Sequence, residues 1–340
     1  MLAPQAMRSA RSRGRIRAEA PCPFRTDYQR DRDRILHCKS FRRLAAKTQV
    51  FVGARTDHDR TRLTHSLEVS QVARTIARVL RLNEDLTEAI ALGHDLGHSP
   101  FGHAGEAVLD LVFREYDPTV RFRHNEQSLR VVDFLENDGA GLNLTWEVRN
   151  GILHHSKGDA DLTQGGLASA TLEGQLVALC DRIAYSSHDI DDALRGGLLT
   201  IEDLPANIVE RLGITHSARL TAMVSDVIAA SQDLVIIRMT PAMTALTNQL
   251  KDFMYEHIYL TRSMAPGMRT YLEQVILDLF HYYMAHSDAV PGLDCTLPLR
   301  QRARSVCDFI AGMTDTFATK QYDEIRDRLC RMPGIAPYTT

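Results

Sequence analysis

TLEGQLVALCDRIAYSSHDIDDAL, residues 171–194, decides the fold class. At ~100° per residue, Leu172, Leu176, Leu179, Ile183, Ile190 and Leu194 project to one side. Gly196-Gly197 follow, where a helix stops readily. The other side carries Asp181, Tyr185, His188, Asp189 and Asp192. It is rich in acids and aromatics and has no lysine, unlike an ordinary solvated face. Arg182 stands beside Asp181, poised to meet an anion. The spacing predicts a long amphipathic helix with a site on its polar face.

The same 3.6-residue period recurs on both sides of this stretch. Val69, Val72, Ala73, Ile76, Val79 and Leu80 form one apolar stripe. Asn83 then opens a new segment, with Glu84 and Asp85 where a first helical turn favours acids. Pro241 suits a first turn, and Leu246, Leu250, Phe253 and Met254 follow at helical spacing. Tyr271, Leu272, Val275, Ile276 and Leu279 repeat the pattern. Little alternates with period two, and only Lys47–Gly53 reads as a short strand or loop. Residues 157–166 (KGDADLTQGG) read as a loop and candidate lid. The fold class expected is all-α.

The 340 residues are 44% hydrophobic and 24% charged, enough to bury a substantial core. A net charge of −3 argues against a general polyanion binder, and no apolar run is long enough to span a bilayer. The six scattered cysteines, with no CxxC pair, read as free thiols of a cytoplasmic protein. The start is Arg-rich: Arg8, Arg11, Arg13, Arg15 and Arg17 against Glu19 alone. It is read first as a solvated tail, with a transit peptide or a phosphate-contacting arm as alternatives.

The chemistry concentrates in ALGHDLGHSPFGHAGE, residues 91–106. Such a run makes a poor core, because His, Asp and Glu cost free energy when buried without partners. Four glycines also make it a poor surface helix; beside ligands they would let backbone approach a metal or phosphate. His94 and Asp95 offer a mixed N/O donor pair suited to a transition metal or, with water, Mg²⁺. His65 alone would be structural, and gains a claim only with such partners downstream. RDRDR (30–34) reads as a salt-bridged helix start, FRRLAAKTQ (41–49) as a basic surface helix, and His154-His155 as a helix-end pair.

The order His65, His94-Asp95, Asp181 reproduces the H…HD…D pattern of HD-domain phosphohydrolases. The blocks 31–51, 57–78, 91–106, 123–128 and 180–193 together resemble the deoxyguanosinetriphosphate triphosphohydrolase (dGTPase-like) family. The likeness returns at KDFMYEHIY (251–259) and CDFIAGMTDTFA (307–318). The resemblance implies that His65, His94, Asp95 and Asp181 hold a divalent metal ion (Mn, Mg, Co or Fe). It places Arg62 on the triphosphate and His98 at the α-phosphate. His103 is implied as the acid that protonates the leaving 5′-oxygen, with Glu106 as its partner, and His124 as a further active-site histidine. Gln49, Tyr185 and Asp189 are implied to hold the deoxyribose, with Arg182 in place of a lysine. Tyr255 matches the tyrosine that crowds the sugar 2′ position, although Glu256 replaces a glutamine beside it.

The implied activity is hydrolysis of a deoxynucleoside triphosphate (dNTP) to deoxynucleoside and tripolyphosphate. The implied partners are the dNTP, further copies of the chain (often hexamers in the family) and an activating dNTP or single-stranded DNA. The expected organisation is a flexible basic segment (1–24), an HD core (25–215) and a helical C-terminal region (216–340) that completes the pocket and carries oligomer contacts. The alternatives are another HD-type hydrolase, such as a phosphodiesterase or 5′-nucleotidase, or a non-catalytic nucleotide- or nucleic-acid-binding HD protein.

Overall fold

The computed structural model describes residues 1–50, 59–156, 169–259, 264 and 267–331. Among these the chain is all-α. The N-terminal half runs α1 (Asp27–His37), α2 (Lys39–Arg43), α3 (Arg62–Val79), α4 (Glu84–Gly93), α5 (Gly102–Tyr116), α6 (His124–Arg130) and α7 (Trp146–Leu153). It continues through α8 (Leu172–Arg195), α9 (Ala206–Leu212), α10 (His216–Ala230), α11 (Pro241–Met254), α12 (Met268–Ala285), α13 (Leu299–Ala311) and α14 (Asp315–Arg331). The only pairing of extended backbone among the described residues is two isolated bridges, Arg15 with Thr145 and Thr48 with Thr61. The second bridge is what remains of the expected strand at Lys47–Gly53; residues 51–58 lie outside the described part, as does the expected loop at 157–166.

Capping explains where the helices begin. The Asn83 side chain accepts the Leu86 N–H, Thr171 that of Gly174, and Thr240 that of Met243 ahead of Pro241. α8 is central: it packs on α3, α4, α7, α10 and α11. It is buried nearly all round, which its sequence moment understates. Leu176, Ile183 and Ile190 are sealed on one side, and His188, Asp189 and Asp192 are also buried on the other.

Two apolar cores form, and they do not divide at residue 215. The first gathers α1, α3, α4, α7 and α8 together with Met223 and Val227 of α10 and Leu250 and Met254 of α11. The second joins α5 (Leu109, Val112, Phe113) to α12 and α13 (Leu279, Phe280, Val306, Ile310). α5 therefore anchors one end of the histidine-rich segment in the C-terminal core.

The Arg-rich start is not a solvated tail. Ala3 and Ala6 are buried, and three carboxylates in or beside the first core grip the segment. Glu173 accepts the Met7 N–H (2.9 Å), and Glu147 accepts the Arg13 N–H (2.8 Å) and the Ser12 hydroxyl (2.6 Å). Asp31 pairs with Arg15 and also accepts the Thr145 N–H at 2.8 Å. Arg13 lies 3.8 Å over the Trp146 ring. Of the arginines only Arg15 meets acids, Asp31 and Asp27, while Arg8, Arg11, Arg13 and Arg17 stay exposed; backbone N–H groups and small side chains fix the rest of the segment, which its composition does not reveal. The RDRDR start is salt-bridged as expected, Arg30 reaching Glu19 at 2.7 Å and Arg32 reaching Glu88 at 3.3 Å.

Candidate active site

The chain turns sharply after α4, and the turn carries the histidine-rich segment. Gly97 is required there: a Cβ would lie 2.1 Å from the Ser128 nitrogen and 2.4 Å from the Gln127 carbonyl carbon. Gly102 takes φ +61 at the start of α5, after Phe101 in the same left-handed region. Glycine at 97 thus lets α6 come against the turn, and the Ser128 hydroxyl bridges the two, donating to the His94 carbonyl (2.6 Å) and accepting the Gly97 N–H (2.9 Å).

This packing brings together four side chains distant in sequence. His65 comes from the first turn of α3, His94 and Asp95 from the end of α4, and Asp181 from the middle of α8. His65 Nε2 is 2.9 Å from Asp181 Oδ1. His94 Nε2 is 3.3 Å from Asp95 Oδ1 and 3.6 Å from Asp181 Oδ1. The His94 Nδ1–H donates to the Ala91 carbonyl at 2.7 Å, which leaves Nε2 bare, buried and without a hydrogen-bond partner. Burial alone would push His94 down, yet Asp95 and Asp181 raise it to about 9. Burial would push Asp181 up, but His65 and His94 hold it well below the usual carboxylate range. His65, His94 and Asp95 present donor atoms within 4.8 Å of one another, so the donor set fits a divalent metal ion.

Arg62, buried at 2% exposure one turn before His65, donates to Asp95 Oδ2 at 2.9 Å. Its Nε is buried with no hydrogen-bond partner, as is Gln49 Oε1. Such unsatisfied groups are costly unless a ligand meets them.

A second row of ionisable groups lies beside the first. His98 stacks on His124 with ring centroids 4.0 Å apart. His98 Nε2 is 3.3 Å from Asp95 Oδ1, which links the two rows. Glu106 holds His124 rather than His103 most closely. It meets His124 Nδ1 at 2.9 Å and accepts the His124 backbone N–H at 2.9 Å, whereas His103 Nδ1 is 3.5 Å away. Burial pushes Glu106 up, but His124 and His103 keep it well below the usual range. His98 is driven well below the usual histidine value by burial, Arg62 and His124. The His103 side chain is 64% exposed, so it alone of this row faces outward.

Further along α8, Tyr185 and Asp189 share the face of Asp181. The tyrosine that meets them is Tyr259, not Tyr255. The Tyr259 hydroxyl donates to Asp189 Oδ2 at 2.5 Å, and its ring stacks on Tyr185 at 5.3 Å. Tyr255 is 48% exposed. A π-helical turn, Tyr255–Tyr259, separates the two by four residues. Burial raises the Asp189 carboxyl to about 8 despite the Tyr259 hydroxyl. Arg182 is half-buried next to Asp181.

Sequence reasoning missed His155. It is 2% exposed, its ring 4.9 Å from His94 and 5.2 Å from His124, and burial drives it down to about 3. The signal was present: Val148, Gly151, Ile152 and His155 fall at i, i+3, i+4, i+7, so a histidine closes the core stripe of α7.

The HD domain family model matches residues 62–186, and the phosphohydrolase-associated domain matches 237–324. Fold and site together define an HD-domain phosphohydrolase. A deoxyguanosinetriphosphate triphosphohydrolase-like protein of Caldanaerobacter subterraneus is 52% identical, over 96% of this chain and 92% of its own length. Similarly named proteins of Desulfatibacillum aliphaticivorans and Clostridium perfringens are 47% and 44% identical, over 95% and 93% of this chain and 94% and 92% of their own. The chain belongs to the deoxyguanosinetriphosphate triphosphohydrolase-like family.

Proposed function

We propose that this protein is a divalent-metal-dependent dNTP triphosphohydrolase that releases deoxynucleoside and intact tripolyphosphate. The observation that carries this reading is the convergence of His65, His94, Asp95 and Asp181 beneath Arg62, with the row His98, His124 and Glu106 alongside. The names of the relatives support the substrate class.

A metal ion held by the four side chains would supply an acidified water and polarise a phosphoryl oxygen. Arg62 already spends one N–H on Asp95, and its buried Nε remains to meet phosphate. His98, kept neutral by burial and by Arg62, presents a ring nitrogen to the same space. The 5′-oxygen leaves poorly as an alkoxide, so a proton donor must stand beside it. His103 is the outward-facing member of the row, and His124, raised by Glu106 against its burial, can pass a proton along it. The unpartnered Gln49 carbonyl oxygen and the Tyr185–Asp189–Tyr259 group would hold the sugar, with Arg182 at its phosphate end.

No helix of the described residues is long and apolar enough to cross a membrane, in keeping with a cytoplasmic enzyme. Self-association, and activation by a second dNTP or by single-stranded DNA, belong to the same proposal. The test is a panel of dNTPs and NTPs with Mn²⁺, Mg²⁺ or Co²⁺, with products separated by anion exchange. Tripolyphosphate is expected from dNTPs; monophosphate plus pyrophosphate would overturn the reading in favour of another HD hydrolase.

A further inference from the structure

We propose that Lys47 and Asp315 are positioning residues of the active site: together they clamp the turn from His98 to Phe101 onto α13 and α14, and so set where His98 and His103 stand. The proposal rests on reading His98 as a phosphate contact and His103 as the acid for the leaving oxygen.

The turn is gripped at both ends. At one end the Lys47 Nζ donates to the His98 carbonyl. The same Nζ donates to the Ala311 carbonyl at 2.7 Å. Ala311 is the last residue of α13, where helix carbonyls lack partners and a cation is favoured. At the other end Asp315, the first residue of α14, accepts the Phe101 N–H on Oδ1 at 3.0 Å. Its Oδ2 accepts the Thr48 N–H at 2.9 Å and the Thr48 hydroxyl. Turn, Lys47-Thr48 and Asp315 therefore close a ring of hydrogen bonds. The Lys47 carbonyl also accepts the Arg62 N–H at 3.1 Å, which ties the ring to the start of α3. Phe101 and Gly102, both in the left-handed region, lead straight into α5, whose second residue is His103. A shift of the turn would move His98 and His103 together.

A simpler reading is that Lys47 only caps α13. A cap needs one N–H and can be made from the surface. Lys47 is instead 2% exposed, the only buried lysine among the described residues, and burying an ammonium is costly. Capping gives no reason for it to reach the His98 carbonyl. Burial pushes its amine down to about 7, yet charged or neutral it keeps two N–H groups, one for each carbonyl. Asp315, also buried, commits its two oxygens to residues 267 and 214 positions away in sequence. These bonds give the C-terminal helices a direct hold on the catalytic turn.

Turnover of a dNTP with Mn²⁺, melting temperature and bound Mn²⁺ are measured on the full-length wild type, Lys47→Met, Asp315→Asn and Leu279→Ala. Lys47→Met keeps the length of the side chain without a donor. Asp315→Asn keeps the shape, but its amide nitrogen must face the N–H of Thr48 or of Phe101. Leu279→Ala weakens the same C-terminal core and makes none of these hydrogen bonds. In both Lys47→Met and Asp315→Asn, kcat is expected to fall about 10- to 100-fold, the scale of a ~1 Å misplacement, with KM within about threefold of wild type. Bound Mn²⁺ is expected to stay at the wild-type level. Leu279→Ala is expected to melt earlier, with kcat within about twofold of wild type at a temperature where all the proteins are folded. Wild-type kcat in folded Lys47→Met or Asp315→Asn overturns the proposal, as does an equal loss in Leu279→Ala or a loss confined to KM. If Lys47→Met does not fold, Asp315→Asn decides alone. A wild type that releases no tripolyphosphate overturns the proposed function, and the role of the clamp with it.

Discussion

Gly97→Ala tests how the turn assembles the site. The added Cβ would lie 2.1 Å from the Ser128 nitrogen, 2.4 Å from the Gln127 carbonyl carbon and 2.6 Å from the His124 carbonyl oxygen. All three are backbone atoms of α6, so no side-chain rotation relieves the clash. Restoring an ordinary contact requires α6 to retreat by about 1 Å, an overpacking strain of about 1–3 kcal/mol or more. At roughly 2 °C per kcal/mol for a chain of this size, the melting temperature should fall by several degrees. α6 begins with His124, so the retreat also pulls its ring from Glu106 and His98. A misplacement of about 1 Å at reacting groups costs on the order of 100-fold in turnover. Gly93→Ala is the control. Its Cβ would meet Ile152 Cδ1 at 2.7 Å, the far end of a side chain, and alanine gains about 1 kcal/mol of helix propensity there. Calorimetry and turnover are measured on both variants. Gly97→Ala melting within 1–2 °C of wild type with full turnover, or Gly93→Ala suffering more, would refute the backbone-contact reasoning.

Other predictions concern separate parts of the molecule. Asp31→Ala leaves Arg15 buried without its carboxylate, and should cost about 3–5 kcal/mol in denaturant unfolding. Glu19, held by Arg34 and Asn143, and Glu68, held by His188 and Arg60 against its burial, both lie at about 2, below the free value of 4.5. Their stabilisation is complete above pH 4.5 and lost as the pH falls through 2, so melting temperature should drop across that window; Glu19→Gln with Glu68→Gln should flatten the drop. Tyr259→Phe should raise KM for a dNTP several-fold by freeing Asp189, while Tyr255→Phe should leave it near wild type. His103→Ala should abolish turnover while Mn²⁺ content, measured by mass spectrometry, stays unchanged.

The helical architecture was readable because periodicity and caps agree: Asn83, Thr171 and Thr240 each start a helix where the apolar stripe begins. His65, His94, Asp95 and Asp181 are brought together as the motif order implied. What escaped depended on tertiary contact. The first 20 residues are held by Asp31, Glu147 and Glu173, through the Arg15 side chain and the backbone of Arg13 and Met7, at positions no local window includes. The glycines of 91–106 were read as openings toward a ligand, but Gly97 faces the backbone of α6. Tyr255 and Tyr259 sit one π-turn apart, and an α-helical period cannot say which faces Asp189. His155 hid in a histidine pair at a helix end, where its place on the buried stripe went unweighed.

The central claim is that His65, His94, Asp95 and Asp181 enclose one divalent ion. Anomalous diffraction at the manganese edge, from crystals grown with Mn²⁺, tests it directly. The account predicts a peak with His65 Nε2, His94 Nε2 and one oxygen each of Asp95 and Asp181 at about 2.0–2.3 Å. A map with no peak among those four side chains, or with the metal bound elsewhere, would contradict it.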